Sequence, residues 1–196
     1  MVGWLIAAAV LAVIVVWAVG AYNRLVELRN RIANAFGQID VQLKRRFDLV
    51  PNLVEVAKKY LAHEQSTLQA VIAARGQAQA AADVARRDPA SAQAIGSLAA
   101  ADGVLGGALG RLMVVAEDYP ELKADATMRE LSEELTSTEN RIGFARQAYN
   151  DAVLDFNTDS QQFPTLIVAR LAGFVPAIEL QATQSEAERQ AVKVQF

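Results

Sequence analysis

Residues 2–21 read VGWLIAAAVLAVIVVWAVGA, and the first formally charged side chain after them is Arg24. A helix of about 20 residues rises about 30 Å, the thickness of a bilayer's hydrocarbon core, and uncharged runs of that length are rare in soluble cores. The stretch is read as a membrane-spanning helix. Domain organisation follows outward from it: residues 1–22 form an anchor, 23–178 a helical body, and 179–196 a tail. A cleaved signal peptide is the alternative, since Val19 and Ala21 are small enough to resemble a processing site. Against it, no basic region precedes Trp4, and the apolar run is about twice a usual signal core. The chain has no Cys, which excludes lipoprotein processing.

Orientation is read from the charges beside the span. Residues 24–46 carry Arg24, Arg29, Arg31, Lys44, Arg45 and Arg46 against Glu27 and Asp40, and no Lys or Arg precedes the span. Cytoplasmic flanks retain Lys and Arg, so the N-terminus is expected outside and the body in the cytoplasm, at a bacterial inner membrane. Trp4 at one end, with Trp17 and Tyr22 at the other, suit interfacial anchoring; a helix contact suits Trp17 equally. The absence of Cys agrees with a reducing compartment. Beyond the basic collar, residues 47–196 carry 13 basic and 20 acidic side chains. An acidic body makes nucleic acid a poor partner, because such proteins need a basic face to replace phosphate counterions.

The rest of the chain reads as all-α, an antiparallel up-and-down four-helix bundle of long helices continuous with the span. Leu25, Leu28, Ile32, Phe36, Ile39 and Leu43 recur at steps of three and four, with no Gly, Ser or Pro linker between Tyr22 and Ile32. Pro51 predicts a break or sharp kink, since proline inside a helix costs about 3 kcal/mol. A second helix is expected from about Pro51 to Arg86. In RRDPAS, Asp88 is the expected N-cap and Pro89 the first helical position. The third helix, SLAAADGVLGGALGRL, is rich in small residues that would allow a close neighbour, and it ends between Glu117 and Pro120. The fourth opens on a Thr127–Glu130 capping box and closes at Phe163–Pro164. Its seam of Met128, Leu131, Leu135, Thr138, Ile142, Ala145, Tyr149, Ala152, Phe156, Asp159 and Phe163 keeps a three-four repeat for nearly five heptads.

Candidate chemistry is sparse. His63 and Glu64 in AHEQSTL match part of a zinc-helix motif, but Thr67 stands where the second His belongs. A structural or exposed histidine is the better reading. The glycines at 103, 106, 107 and 110 neither precede Lys-Ser or Lys-Thr nor follow a strand, so close helix packing is the expected account. The acidic runs EDYPELKAD and ELSEEL lack a partner group for general acid work. No catalytic residue, cofactor or metal site is expected, and the chain is read as not an enzyme.

Two further features concern surfaces. Residues 164–178, PTLIVARLAGFVPAI, hold one charge, and the fourth helix should return them to the membrane; Leu166 and Phe174 are the candidate lipid contacts, with a cap over the bundle as the alternative. In the tail, Val192, Val194 and Phe196 alternate with Lys193 and Gln195, which suits a short half-buried strand and makes these three the candidate assembly contacts. A frayed terminus is the alternative.

Four strings in order, VQLKRRFDLVPNLVEVAKKYLAHEQSTLQAVIAAR, LGRLMVVAEDYPELKAD, ENRIGFARQAYNDAVLDFN and FPTLIVARLAGF, resemble the LemA family of bacterial membrane proteins. The resemblance runs from the span to the terminal KVQF. Phe36 and Gly37 stand where family members commonly carry a Trp and a polar residue, which bears on local packing only. The resemblance implies a single-span protein with a cytoplasmic helical bundle and no agreed catalytic residues. It also implies membrane-associated assemblies and neighbouring membrane zinc proteases; the lipid bilayer is expected as a partner from the span, and further copies of the chain from the reading as a scaffold. The expected function is a membrane-anchored scaffold that self-associates and organises membrane or partners; the alternative is an accessory or regulatory subunit of a membrane zinc protease.

Overall fold

The computed structural model describes residues 2–180, and all regular structure among them is helical. The elements are α1 (Val2–Lys58), α2 (Gln65–Arg87), α3 (Ala92–Glu117), α4 (Pro120–Ala124), α5 (Ala126–Gln161) and α6 (Thr165–Leu171).

Helix α1 runs unbroken for 57 residues, from the apolar span into the body. The three-four stripe is buried as its spacing requires: Leu25, Leu28, Ile32, Phe36, Ile39 and Leu43 all lie in the core. Burying each such side chain contributes about 1.5–3 kcal/mol. The expected break at Pro51 does not occur. Pro51 lacks the N–H that would bond the carbonyl of Phe47, but Arg75 on α2 donates its Nε–H to that oxygen at 2.7 Å. A side chain from a neighbouring helix thus supplies the missing donor, and α1 continues another two turns.

The first reversal therefore falls at residues 59–64, not at Pro51, and α2 begins at Gln65. No Gly or Pro marks this turn. Tyr60 and Leu61 N–H groups bond the Ala57 carbonyl, Leu61 is fully buried, and the Tyr60 hydroxyl donates to Asp125 Oδ2 at 3.0 Å. Tertiary anchoring sets the reversal where local turn chemistry is weak.

Two helix starts also differ from expectation. Ser91, not Asp88, caps α3, its hydroxyl accepting from the Ala94 N–H at 3.3 Å. Asp88 instead accepts from the Ala90 N–H, a local bond open to a short carboxylate ahead of a turn. Asp125, not Thr127, caps α5, accepting from the Met128 N–H at 3.0 Å. Capping by a residue two positions earlier leaves Thr127 inside the first turn.

Ion pairs fix the directions of the long helices. Arg24–Asp159 at 3.2 Å and Arg45–Glu134 lie toward opposite ends of the α1–α5 contact, so those helices run antiparallel. Arg86–Asp40 at 2.8 Å and Arg75–Phe47 do the same for α1 and α2. Helices α2 and α3 pack together as a hairpin. Helix α3 is apolar and long enough to cross a membrane. It behaves as a core helix, since Leu98, Leu105 and Leu112 are buried and Asp102 is ion-paired to α1 and α5.

Close packing does not account for Gly107 and Gly110 of α3. A Cβ on Gly106 would meet the Arg46 guanidinium at 3.5 Å, while Gly107 and Gly110 face open space. On α5, Met128, Leu135, Thr138, Ile142, Tyr149 and Phe156 are buried as the seam predicts, joined by Val153 and Ser160. The seam stops short of Phe163, which is exposed.

Candidate membrane interface

The end of the body beside the candidate span is assembled where α5 returns to the start of the body. Arg24, two residues past Tyr22, holds Asp159 near the C-terminus of α5. Chain and charge thus bring residues 159–175 level with the end of the span. Across this level the Tyr22 ring meets Phe174 at 5.8 Å between centroids, and Phe174 meets Phe156 at 6.1 Å. Helix α6 packs against both α1 and α5, with Ala169 buried at the contact. On α1, Ala18 and Ala21 are the first partly covered residues, whereas the preceding turns are exposed throughout.

The sequence-predicted residues occupy distinct places. Trp4 is exposed at the outer part of α1; Trp17 and Tyr22 are also exposed, although Tyr22 contributes one edge to the Phe174 contact. Arg24 and Arg31 both pair with Glu27, at 3.2 and 2.6 Å, and Arg29 lies 3.7 Å from Asp88. Leu166 is half-buried, and Phe174 turns inward onto its two aromatic neighbours. The exposed apolar side chains here are instead Phe163 at 81%, Ile167 at 50%, Leu171 at 85% and Val175 at 74%. Their four-residue spacing was visible in the sequence. Val192, Val194 and Phe196 lie outside the described residues.

After α6 the chain runs back along α5 as an extended strap. Asn157 donates to the Ala177 carbonyl at 2.8 Å and accepts from its N–H at 2.9 Å. Asn150 holds Leu180 in the same way, at 3.3 and 2.8 Å. The spacings match: seven helical residues rise about 10.5 Å, and three extended residues about 10 Å. The Tyr149 hydroxyl lies 2.8 Å from the Pro89 carbonyl and 3.2 Å from that of Ile178, tying the α2–α3 turn and the strap to α5. Burial pushes that hydroxyl's pKa up, so it stays a donor. Sequence reading had not singled out these amides; two Asn one heptad apart are the signal.

Deeper in the body sits a buried charge cluster. Arg46 on α1, 5% exposed, bonds Asp102 on α3 at 2.9 Å and Glu139 on α5 at 2.9 Å. Arg146 on α5 reaches the other Asp102 oxygen at 3.4 Å. Burial pushes the Asp102 carboxyl above its ordinary value; the guanidiniums pull it back down, and Glu139 adds to the rise. The cluster ties three helices in one register. Among the described residues, no group of three His, Asp or Glu side chains is arranged to hold a metal ion. His63 is exposed in the α1–α2 turn.

These features define an all-helical protein whose N-terminal helix carries a candidate membrane span and joins the packed body without a linker. The sequence pattern of the LemA family matches residues 35–196, and the chain belongs to that family. Magnetosome protein MamQ 2 of Paramagnetospirillum magneticum is 28% identical over 168 residues, covering 78% of this chain and 62% of the relative. Magnetosome protein MamQ of Magnetospirillum gryphiswaldense is 26% identical over the same shares. The chain thus spans 62% of the length of these curated relatives. Both relatives are magnetosome proteins by name, and the N-terminal helix here carries an uncharged stretch long enough to cross a membrane.

Proposed function

We propose that this chain is a membrane-anchored structural protein, without catalytic activity of its own, that self-associates and organises or shapes the membrane or proteins bound to it. The observation that carries this reading is α1, a 57-residue helix running from an uncharged span into the core of the body. A join of that kind makes the body's position a function of the bilayer, which serves an organising role better than a tethered domain would. The magnetosome relatives support placement in a membrane-associated assembly.

In this reading the body half of α1 with α2, α3 and α5 forms an up-and-down bundle. The N-terminus lies outside and the bundle in the cytoplasm of a bacterial inner membrane, by the charge asymmetry around the span. Copies anchored in one bilayer meet at high local concentration, and Val192, Val194 and Phe196 are the proposed contacts between them.

The test is the mass of the full-length protein purified in mild detergent. A homo-oligomer is expected, and deletion of residues 191–196 should lower its mass while helicity is kept. A monomer at micromolar concentration refutes self-association. A membrane protease co-purifying in fixed stoichiometry points to the accessory-subunit reading in its place.

A further inference from the structure

We infer that the outer face formed by Phe163, Ile167, Leu171 and Val175 lies against lipid at the headgroup boundary, giving the protein a second membrane contact beside its span. The inference rests on the membrane-anchored reading above and adds to it a surface and an occupant.

Four large apolar side chains, each at least half exposed, lie on or within four residues of a seven-residue helix, with Ile167 and Leu171 one turn apart on it. Single exposed apolar residues are ordinary on a protein surface, but a concentration of large ones on one short segment marks an interaction site. What covers this one follows from its place. The Tyr22–Phe174 and Arg24–Asp159 contacts hold α6 level with the end of the uncharged span. The inner side of α6 is taken by α1 and α5, with Ala169 buried there. The outer side therefore continues the apolar surface of α1 just where the bilayer ends.

Charge agrees with lipid as the occupant. From Ser160 to Ile178 the chain has no Asp or Glu and one cation, Arg170. Arg170 is exposed in the last turn of α6. A short apolar segment with a cation at its edge suits the boundary between acyl chains and anionic headgroups. Phe174, by contrast, packs inward on Tyr22 and Phe156. A single span leaves the body free to lean in any direction, and a second contact on one side removes that freedom.

The chain has no Cys, so single cysteines report cleanly. Leu171→Cys and Val175→Cys would be nitroxide-labelled in the full chain, in vesicles of phosphatidylcholine and phosphatidylglycerol. Val15→Cys in the span and Val114→Cys on the exposed side of α3 serve as references. Relaxation by oxygen, which concentrates in lipid, is compared with relaxation by a water-soluble nickel chelate. The expected result is an oxygen-to-nickel ratio at positions 171 and 175 several-fold above that at 114. Values equal to position 114, with position 15 in lipid, overturn the second contact and leave the anchor standing. Protection from both reagents at 171 and 175 means protein covers the face, and also overturns it. An aqueous value at position 15 overturns the anchor, and the second contact with it.

Discussion

Replacing Pro51 and Arg75, singly and together, tests how α1 survives a proline near its end. The Phe47 carbonyl has lost its backbone donor to Pro51 and is served by Arg75 Nε at 2.7 Å. Arg75→Met keeps most of the apolar stem and removes the donor. Leaving a buried acceptor unsatisfied costs about 1–3 kcal/mol, so that much stability should be lost. In Pro51→Ala the residue-51 N–H returns to the Phe47 carbonyl, and the proline clash disappears. That single change should be neutral or stabilising by up to about 3 kcal/mol, less whatever Arg75 already recovers. The informative quantity is the coupling. In the Pro51→Ala background Arg75→Met should cost less than about 1 kcal/mol, an interaction energy of about 1–2 kcal/mol. Urea unfolding of the full chain in mild detergent, followed by helical circular dichroism, measures all four variants. Equal costs for Arg75→Met in both backgrounds would refute the idea that Arg75 substitutes for the lost backbone donor.

Asp102→Ala leaves the Arg46 guanidinium buried beside a single carboxylate, Glu139, and should destabilise by about 3–5 kcal/mol; a loss under about 1 kcal/mol in the same unfolding assay would contradict the buried pair. The Asp125 carboxyl is held below its ordinary value by the Met128 N–H first and the Tyr60 hydroxyl second. Its contribution is therefore complete above about pH 5 and lost as pH falls through the lowered folded value. Asp125→Asn should flatten the acid limb of a stability-against-pH profile without moving the neutral limb, and an unchanged acid limb counts against the cap. Asn157→Ala with Asn150→Ala should release the strap, raising hydrogen exchange at the Ala177 and Leu180 amides at least tenfold while α5 amides keep their protection; unaltered exchange at both would show the strap is held by other contacts.

Periodicity carried most of the fold. The α1 stripe from Leu25 to Leu43 and the α5 seam from Met128 to Phe156 were legible because each repeats at three and four residues; the stripe is wholly buried and most of the seam is. The misplaced features depend on partners distant in sequence. Pro51 reads as a breaker until Arg75, on the next helix, is known to reach Phe47. The reversal at 59–64 has no Gly or Pro and is fixed by Leu61 and by Tyr60 reaching Asp125. The N-caps went to Ser91 and Asp125 because the motifs around Asp88 and Thr127 satisfy the same local rules a few residues away. At the N-terminal end, the uncharged stretch of α1 and its Arg collar were plain from charge. The inward turn of Phe174 was not, since it needs Tyr22 and Phe156 on two other helices.

The continuity of α1 makes the protein a lever. From Tyr22 to Lys58 the helix extends about 54 Å beyond the span. Membrane helices tilt by about 20° on average, and tilt grows when the bilayer is thinner than the span. At that angle the far turn around Tyr60 is displaced sideways by about 18 Å, and a change of only 10° moves it about 9 Å, nearly a helix diameter. Small differences in bilayer thickness would thus become large differences in where that tip stands. With α6 seated on the lipid at one side, the lever swings away from that side alone, so its sweep has a direction as well as a reach.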